Sequence, residues 1–96
     1  MNIVALDQGT SGSTALVVNA DGAVTGRGYA ELPQQYPRPG WVEHDPEQIW
    51  TTTVEAARRA LAAAGVGGRD VAVIGITNQR ETTLLWDRAT GAPIHN

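Results

Sequence analysis

The sequence has 96 residues, of which 42% are hydrophobic and 18% are charged, and its formal net charge is -3. This composition is typical of one small globular domain, and it excludes a disordered chain and a complete two-lobed enzyme. The sequence contains no cysteine, no basic run and no apolar run of about 20 residues, so we expect no disulfide, no nucleic-acid partner and no membrane span. The first residues lack the basic start and long apolar stretch of a signal peptide, which favours a cytoplasmic location.

The first third of the sequence predicts a three-stranded antiparallel meander. Apolar runs at residues 2–6 and 15–18 flank a polar turn that contains two glycines. A second turn at residues 19–22 ends in Asp-Gly and leads into the extended pattern of residues 23–31. The prolines of residues 32–44 then predict a long irregular loop.

A helix is predicted to follow this loop. Asp45 suits the N-cap, Pro46 the first helical position, and Gln48 is placed to bond back to the cap. Gly65 is expected to end the helix. The apolar residues that recur at helical spacing, and that should pack on the sheet, are Trp50, Val54, Ala57 and Leu61.

The last third of the sequence predicts further strands. Residues 71–76 form a continuous apolar run, which indicates a strand covered on both faces and parallel to an earlier strand through the helical crossover. Residues 82–87, with Trp86 expected in the core, predict another strand, and a last strand begins at residues 92–94. The predicted order is therefore β-β-β-α-β-β. Because the last strand starts so near Asn96, we expect the chain to stop inside a domain.

The polar segment between the first two strands, Asp7-Gln-Gly-Thr-Ser-Gly-Ser-Thr14, is the first candidate site. Its glycines let the backbone approach an anion closely, which favours phosphate binding. Asp7 cannot contact a phosphate directly, but it can hold a magnesium ion between itself and the phosphates. The alternative is an ordinary polar hairpin turn, and no Walker sequence is present. Further donors in the segment are the hydroxyl groups of Thr10, Ser11, Ser13 and Thr14.

The polar run that follows the predicted strand at residues 71–76 is the second candidate site. Polar side chains beyond the carboxyl end of a central strand lie where open α/β sheets bind ligands. Arg80 offers a rigid fork of donors and Glu81 accepts, so the pair suits neighbouring hydroxyl groups of a polyol. The alternative is a solvated charge pair in a loop.

Two other groups of residues resemble catalytic or metal sites but have structural explanations. His44 and His95 are far apart in sequence and lack a third ligand at metal spacing, so a surface or packing role is expected. Glu43, Asp45 and Glu47 are close in sequence, but capping and the helix dipole account for the last two.

Three blocks of sequence, residues 3–10, 36–46 and 74–83, together with Thr90-Gly91, resemble the amino-terminal part of the FGGY family of carbohydrate kinases. The resemblance covers essentially the whole chain. The first block is shared with the wider actin-like phosphotransferases, whereas the second and third are specific to the family members that phosphorylate glycerol.

This resemblance implies an α/β fold, namely a partial ribonuclease H-like (actin-like ATPase) domain. Residues 1–96 would be the incomplete amino-terminal part of the first of two kinase domains. The implied reaction transfers the γ-phosphoryl group of magnesium-ATP to glycerol and gives glycerol 3-phosphate. Glycerol is then the small-molecule partner, and the complete protein could form a homo-oligomer.

The resemblance also implies a role for residues of the first candidate site. Asp7 serves the Mg²⁺ ion, and the nucleotide-binding positions are Thr10, Ser11, Gly12 and Thr14. At the last of these positions the family usually carries a basic residue. A hydroxyl there removes a positive charge that would stabilise the transferring phosphoryl group.

For the second candidate site the resemblance implies that Arg80 and Glu81 bind glycerol hydroxyls. The catalytic base would lie beyond Asn96, and no residue of this chain is expected to serve as one. Two other functions stay open at this point: phosphorylation of another polyol or sugar such as xylulose, and a non-catalytic module that binds nucleotide.

Overall fold

The computed structural model describes all 96 residues, and its elements build one mixed sheet with a helix on one face. The strand order is β3-β2-β1-β4. The β1–β2 and β2–β3 pairs are antiparallel and the β1–β4 pair is parallel, so the predicted meander and helical crossover are confirmed. The elements are β1 (Asn2–Gln8), β2 (Gly12–Val18), β3 (Val24–Glu31), α1 (Pro46–Ala64), a short 3-10 helix (Gly68–Asp70) and β4 (Val71–Asn78).

Helix α1 begins and ends where the sequence predicts. The Asp45 side chain accepts a hydrogen bond of 2.9 Å from the Glu47 backbone N–H, and Gly65 ends the helix in the left-handed region at φ 65°. The expected bond from Gln48 back to the cap is not formed, and its Oε1 is buried without a hydrogen-bond partner. Neither helix combines the length and apolarity that a membrane crossing requires.

Helix α1 packs over β2 and β3, and small residues allow the close contact. A Cβ atom placed on Gly28 would meet the Ala56 carbonyl oxygen and lie only 2.6 Å from the Ala60 backbone nitrogen. The alanine face of α1 therefore lies against the sheet. Ala57 and Leu61 of the predicted apolar face also pack against the core, whereas Trp50 does not. Trp50 is 66% exposed, so its expected place in the core is wrong. The buried apolar core is Val4, Ala15, Val17, Ala30, Ala56 and Ala60.

Strand β4 is not covered on both faces, contrary to the prediction from its apolar run. Ile76 is 72% exposed, and Val73 and Ile74 are also largely open. The reason is geometric: β4 is an edge strand that pairs only with β1, while α1 lies over the far half of the sheet.

The strands predicted at residues 82–87 and 92–94 are not formed as regular elements. A single antiparallel bridge joins Trp86 to Pro93, and the chain between them turns through Asp87. Trp86 is exposed rather than in the core. A two-stranded hairpin without a third strand is marginal, and this segment pairs with no strand of the sheet. The element order is thus β-β-β-α-β.

Candidate active site

The loop after β1 is shorter than the sequence predicts. Strands β1 and β2 extend toward each other, with Asp7 paired to Thr14, so only residues 9–11 remain outside them. A hydrogen bond of 2.9 Å from Gly9 N–H to the Gly12 carbonyl closes this turn. The exposed Asp7 and the half-buried Thr14 lie side by side on the sheet face away from α1, because directly paired residues share a face.

Two residues at the start of β2, Gly12 and Ser13, are buried on opposite faces of the sheet. Ser13 is 1% exposed and its Oγ lies 2.9 Å from Thr53 Oγ1 of α1, so its hydroxyl is not available to a phosphate. Gly12 is buried beneath Tyr29, where an added Cβ would meet the tyrosine hydroxyl group. The structure thus explains this glycine by packing, while Thr10 and Ser11 stay exposed.

The loop after β4 carries the second pair of candidate residues. Arg80 and Glu81 are both exposed, and neither side chain makes a hydrogen bond or ion pair within the chain. The Gln79 amide, by contrast, is bonded at both ends. Its Oε1 accepts from Thr82 Oγ1 at 2.8 Å, and its Nε2 lies 3.2 Å from Nδ1 of His44.

Parallel pairing brings these two loops together. Strands β1 and β4 end in register, with Asp7 beside Thr77 and Gln8 beside Asn78. Carboxyl ends of neighbouring parallel strands meet at one edge of a sheet, where ligands bind in open α/β folds. The ends enclose a cavity of about 280 Å³. It is lined by Asp7, Gln8, Gly9, Thr10, Asn78, Gln79, Arg80 and Glu81.

A second cavity of about 270 Å³ adjoins the first and extends toward the long loop before α1. Thr10, Gln79 and Glu81 line both cavities, so the two are adjacent. We call the two cavities together the β1–β4 cleft. The other residues that line its second part are Gln34, Val42, Glu43, His44, Thr82, Thr83 and Asn96.

The charges in the cleft oppose a bare anion. Asp7, Glu43 and Glu81 contribute three carboxylates, and Arg80 is the one cation among the lining residues. No cluster of three or more metal-ligating side chains exists in the chain. An exposed single carboxylate fits Mg²⁺, which keeps several waters and is commonly bound through one or two carboxylates plus substrate phosphates.

The structure brings together four of the residues singled out from the sequence: Asp7, Thr10, Arg80 and Glu81 line the same cavity. Ser11 and Thr14 line neither cavity, and Gly12 is buried. Sequence reasoning missed Gln79, which lines both cavities, and gave His44 only a surface or packing role. The one indication of a role for these two residues in the sequence was that His44 lies in the block of residues 36–46, and Gln79 in the block of residues 74–83, that resemble the family named above.

Comparison with known proteins defines the class. The model of the FGGY family of carbohydrate kinases, N-terminal domain, matches residues 2–96. The chain therefore belongs to the FGGY family of carbohydrate kinases, as its sequence blocks predicted.

The curated relatives that are similar to this chain are glycerol kinases. The chain is 58% identical over 94 residues to a glycerol kinase of Albidiferax ferrireducens, covering 98% of the chain and 19% of that protein. It spans about a fifth of the length of the curated relatives that it matches.

Solved structures confirm the α/β fold class. A xyloylose kinase from Brucella ovis superposes with a TM-score of 0.88 at 29% identity, over 97% of this chain and 19% of that one. Plasmodium falciparum glycerol kinase with ADP superposes with a TM-score of 0.79 at 32% identity, over 99% of this chain and 19% of that one.

Proposed function

We propose that the protein carrying this chain transfers the γ-phosphoryl group of magnesium-ATP to glycerol and releases glycerol 3-phosphate. The observation that carries the proposal is the β1–β4 cleft, in which Asp7, Thr10, Arg80 and Glu81 line one cavity. A phosphoryl transfer needs the bound phosphate and the acceptor hydroxyl next to each other. The similarity to glycerol kinases selects glycerol among the possible acceptors.

The β1 end of the cleft holds the nucleotide. The Thr10 and Ser11 hydroxyls and the backbone of the turn at Gly12 donate to phosphate oxygens. Asp7 holds the Mg²⁺ ion through an oxygen or its waters, and this ion supplies charge neutralisation for the transferring group. Thr14, beside Asp7, adds a hydroxyl but no charge.

The β4 end of the cleft holds the acceptor. The Arg80 guanidinium donates to one glycerol oxygen, while Glu81 accepts from a neighbouring hydroxyl, so together they fix which terminal hydroxyl faces the nucleotide. Since neither side chain is engaged elsewhere in the chain, both are free to bind. A cytoplasmic location and, for the complete protein, a homo-oligomer belong to the same proposal.

A chimera tests this function. Residues 1–96 replace the matching first fifth of the Albidiferax ferrireducens relative, and phosphorylation of glycerol is followed by ADP release. Arg80→Ala should lower kcat/KM for glycerol about 100-fold, since each lost charge-assisted hydrogen bond costs about 1.5–3 kcal/mol. Arg88→Ala, an exposed arginine outside the cleft, is the matched control and should change kcat/KM less than about twofold. An unchanged value for Arg80→Ala, or an inactive parent chimera, contradicts the proposal.

A second acceptor deserves a direct comparison, because the xyloylose kinase superposes with the higher TM-score. The same chimera is assayed with xylulose beside glycerol. A larger kcat/KM for xylulose would replace glycerol as the proposed substrate. ATP binding without transfer to either acceptor would favour a non-catalytic module, for which the missing charge at Thr14 is the supporting feature.

A further inference from the structure

His44 is a buried polar side chain on the wall of the β1–β4 cleft. It lies just before the N-cap of α1, is 8% exposed, and lines the second cavity together with Gln79. Buried polar groups are hydrogen-bonded in folded proteins, so each ring nitrogen of this imidazole requires a partner.

One partner of His44 is Gln79. The amide Nε2 donates to Nδ1 over 3.2 Å, while the amide Oε1 is occupied by the Thr82 hydroxyl at 2.8 Å. With the amide in this orientation its nitrogen donates, so Nδ1 accepts and the ring proton resides on Nε2.

The other ring nitrogen of His44 has no hydrogen-bond partner. His44 Nε2 and Gln48 Oε1 are the two buried side-chain atoms of the chain that lack a hydrogen-bond partner. The first is a donor in this tautomer and the second an acceptor, and their residues are four positions apart at the start of α1. A bond between them, direct or through one buried water, would complete a connection from α1 through His44 to Gln79.

This connection is the one hydrogen-bonded link from the loop of residues 79–84 to an element other than β4. At the β4 end, Asn78 Nδ2 donates to the carbonyl oxygen of its neighbour Gln79 at 2.9 Å. Within residues 79–84, the bond from Thr82 to Gln79 stays inside the loop, and no backbone hydrogen bond reaches another element. The bond between Gln79 and His44 is the exception. Arg80 and Glu81, next along the chain, have no hydrogen bonds of their own to hold them.

From this geometry we infer that His44 is a positioning residue: through Gln79 it holds the loop that places Arg80 and Glu81 in the β1–β4 cleft. The inference rests on the proposed function for its kinetic consequence. His44 does not line the cavity that contains Asp7 and Arg80, so its effect on the bound substrates passes through the loop.

Loss of the bond should lower the population of the binding-competent loop. Apparent affinity falls in proportion to that population, and a hydrogen bond has a net value of about 0.5–1.5 kcal/mol. We therefore expect KM for glycerol to rise about 3- to 10-fold, with kcat within about twofold because bound glycerol restores the loop.

The test compares two substitutions in the chimera. His44→Asn keeps a polar atom at the place of Nδ1, whereas His44→Gln keeps one near the place of Nε2 only. We expect His44→Gln to raise KM for glycerol, and His44→Asn to stay within about twofold of the parent. KM for ATP should change in neither variant, and Gln79→Leu should reproduce the glycerol effect. Equal KM for glycerol in the two His44 variants, or a shift shared with ATP, would overturn the inference.

A second measurement does not depend on turnover. In the ¹⁵N spectrum of histidine-labelled chimera, His44 should give an unprotonated Nδ1 and a protonated Nε2, and Gln79→Leu should shift the Nδ1 signal. An Nδ1 signal that Gln79→Leu leaves unchanged would overturn the inference. If the parent chimera fails to phosphorylate glycerol, the proposed function falls, and this spectrum still decides the placement of His44.

Discussion

The two halves of the sheet are held together in different ways. On the packed side, α1 lies against β2 and β3 through glycine, alanine and one buried hydroxyl pair. On the open side, β4 and the segment of residues 82–94 expose large apolar side chains and are held by β1 pairing and local turns. The core of this chain is therefore built mostly from small residues, and most of its large apolar side chains are exposed.

The sharpest test of this difference is one substitution made on each side. A Cβ on Gly28 would collide with the backbone of α1 at Ala56 and Ala60, whereas nothing lies within 4 Å of a Cβ on Gly75 in β4. Gly28→Ala should destabilise the chain by about 3 kcal/mol, because overpacking against backbone cannot be relieved by a side-chain rotation. Gly75→Ala should change stability by less than about 0.5 kcal/mol. Urea unfolding of both variants measures the difference, and similar losses would remove the distinction between the two sides.

The buried hydroxyl pair should have a smaller effect. Ser13 Oγ and Thr53 Oγ1 are 2.9 Å apart, and Thr53 also donates to the Ile49 carbonyl at 2.7 Å. Ser13→Ala removes one bond and leaves the other, so we expect a loss of about 1 kcal/mol in urea unfolding. Thr51→Ala, on the exposed face of the same helix, is the control. A loss no larger than the control's would show that shape alone holds the packed side.

The smallest effect on stability is expected on the open side of the sheet, in the turn at Asp87. Backbone N–H groups of Thr90 and Ala89 donate to its carboxylate and lower the pKa of Asp87 below its usual range. A lowered folded-state pKa means that the contribution to stability is present above the ordinary aspartate value and is lost as pH falls through the lowered one. An NMR acid titration should move the Ala89 and Thr90 amide signals together with Asp87. Asp87→Asn should abolish that shared titration. Amide signals that stay constant as the carboxylate titrates would contradict the assignment.

Much of the fold was accessible from the sequence because it depends on local signals. The Asp45 cap, the Gly65 stop and the first two turns each act within a few residues. Trp50 was assigned wrongly to the core, because a large apolar residue at helical spacing outweighed the alanines. Only the glycines of β3, far away in sequence, make the alanine face the closer fit.

Some residues of the candidate site were likewise visible from the sequence, and others were not. Asp7, Thr10, Arg80 and Glu81 were singled out because each lies at or just beyond the end of a strand. The parallel pairing of β1 and β4 then brings them together. The role of His44 was not visible, since its partner lies 35 residues away and neither residue has a local pattern that predicts the bond. Ser13 was misplaced because a hydroxyl in a polar turn gives no indication of which face of the strand it occupies.

The parallel pairing of β1 with β4 also predicts the order in which parts of the molecule fold. The contacts of β1, β2 and β3 are between neighbours along the chain, whereas Asp7 and Thr77 must close a long intervening segment before they pair. Contacts between distant residues form late, because the entropy of closing the loop is lost before they stabilise anything. The meander can thus exist before any cleft does, and the cleft forms as a unit when β4 docks.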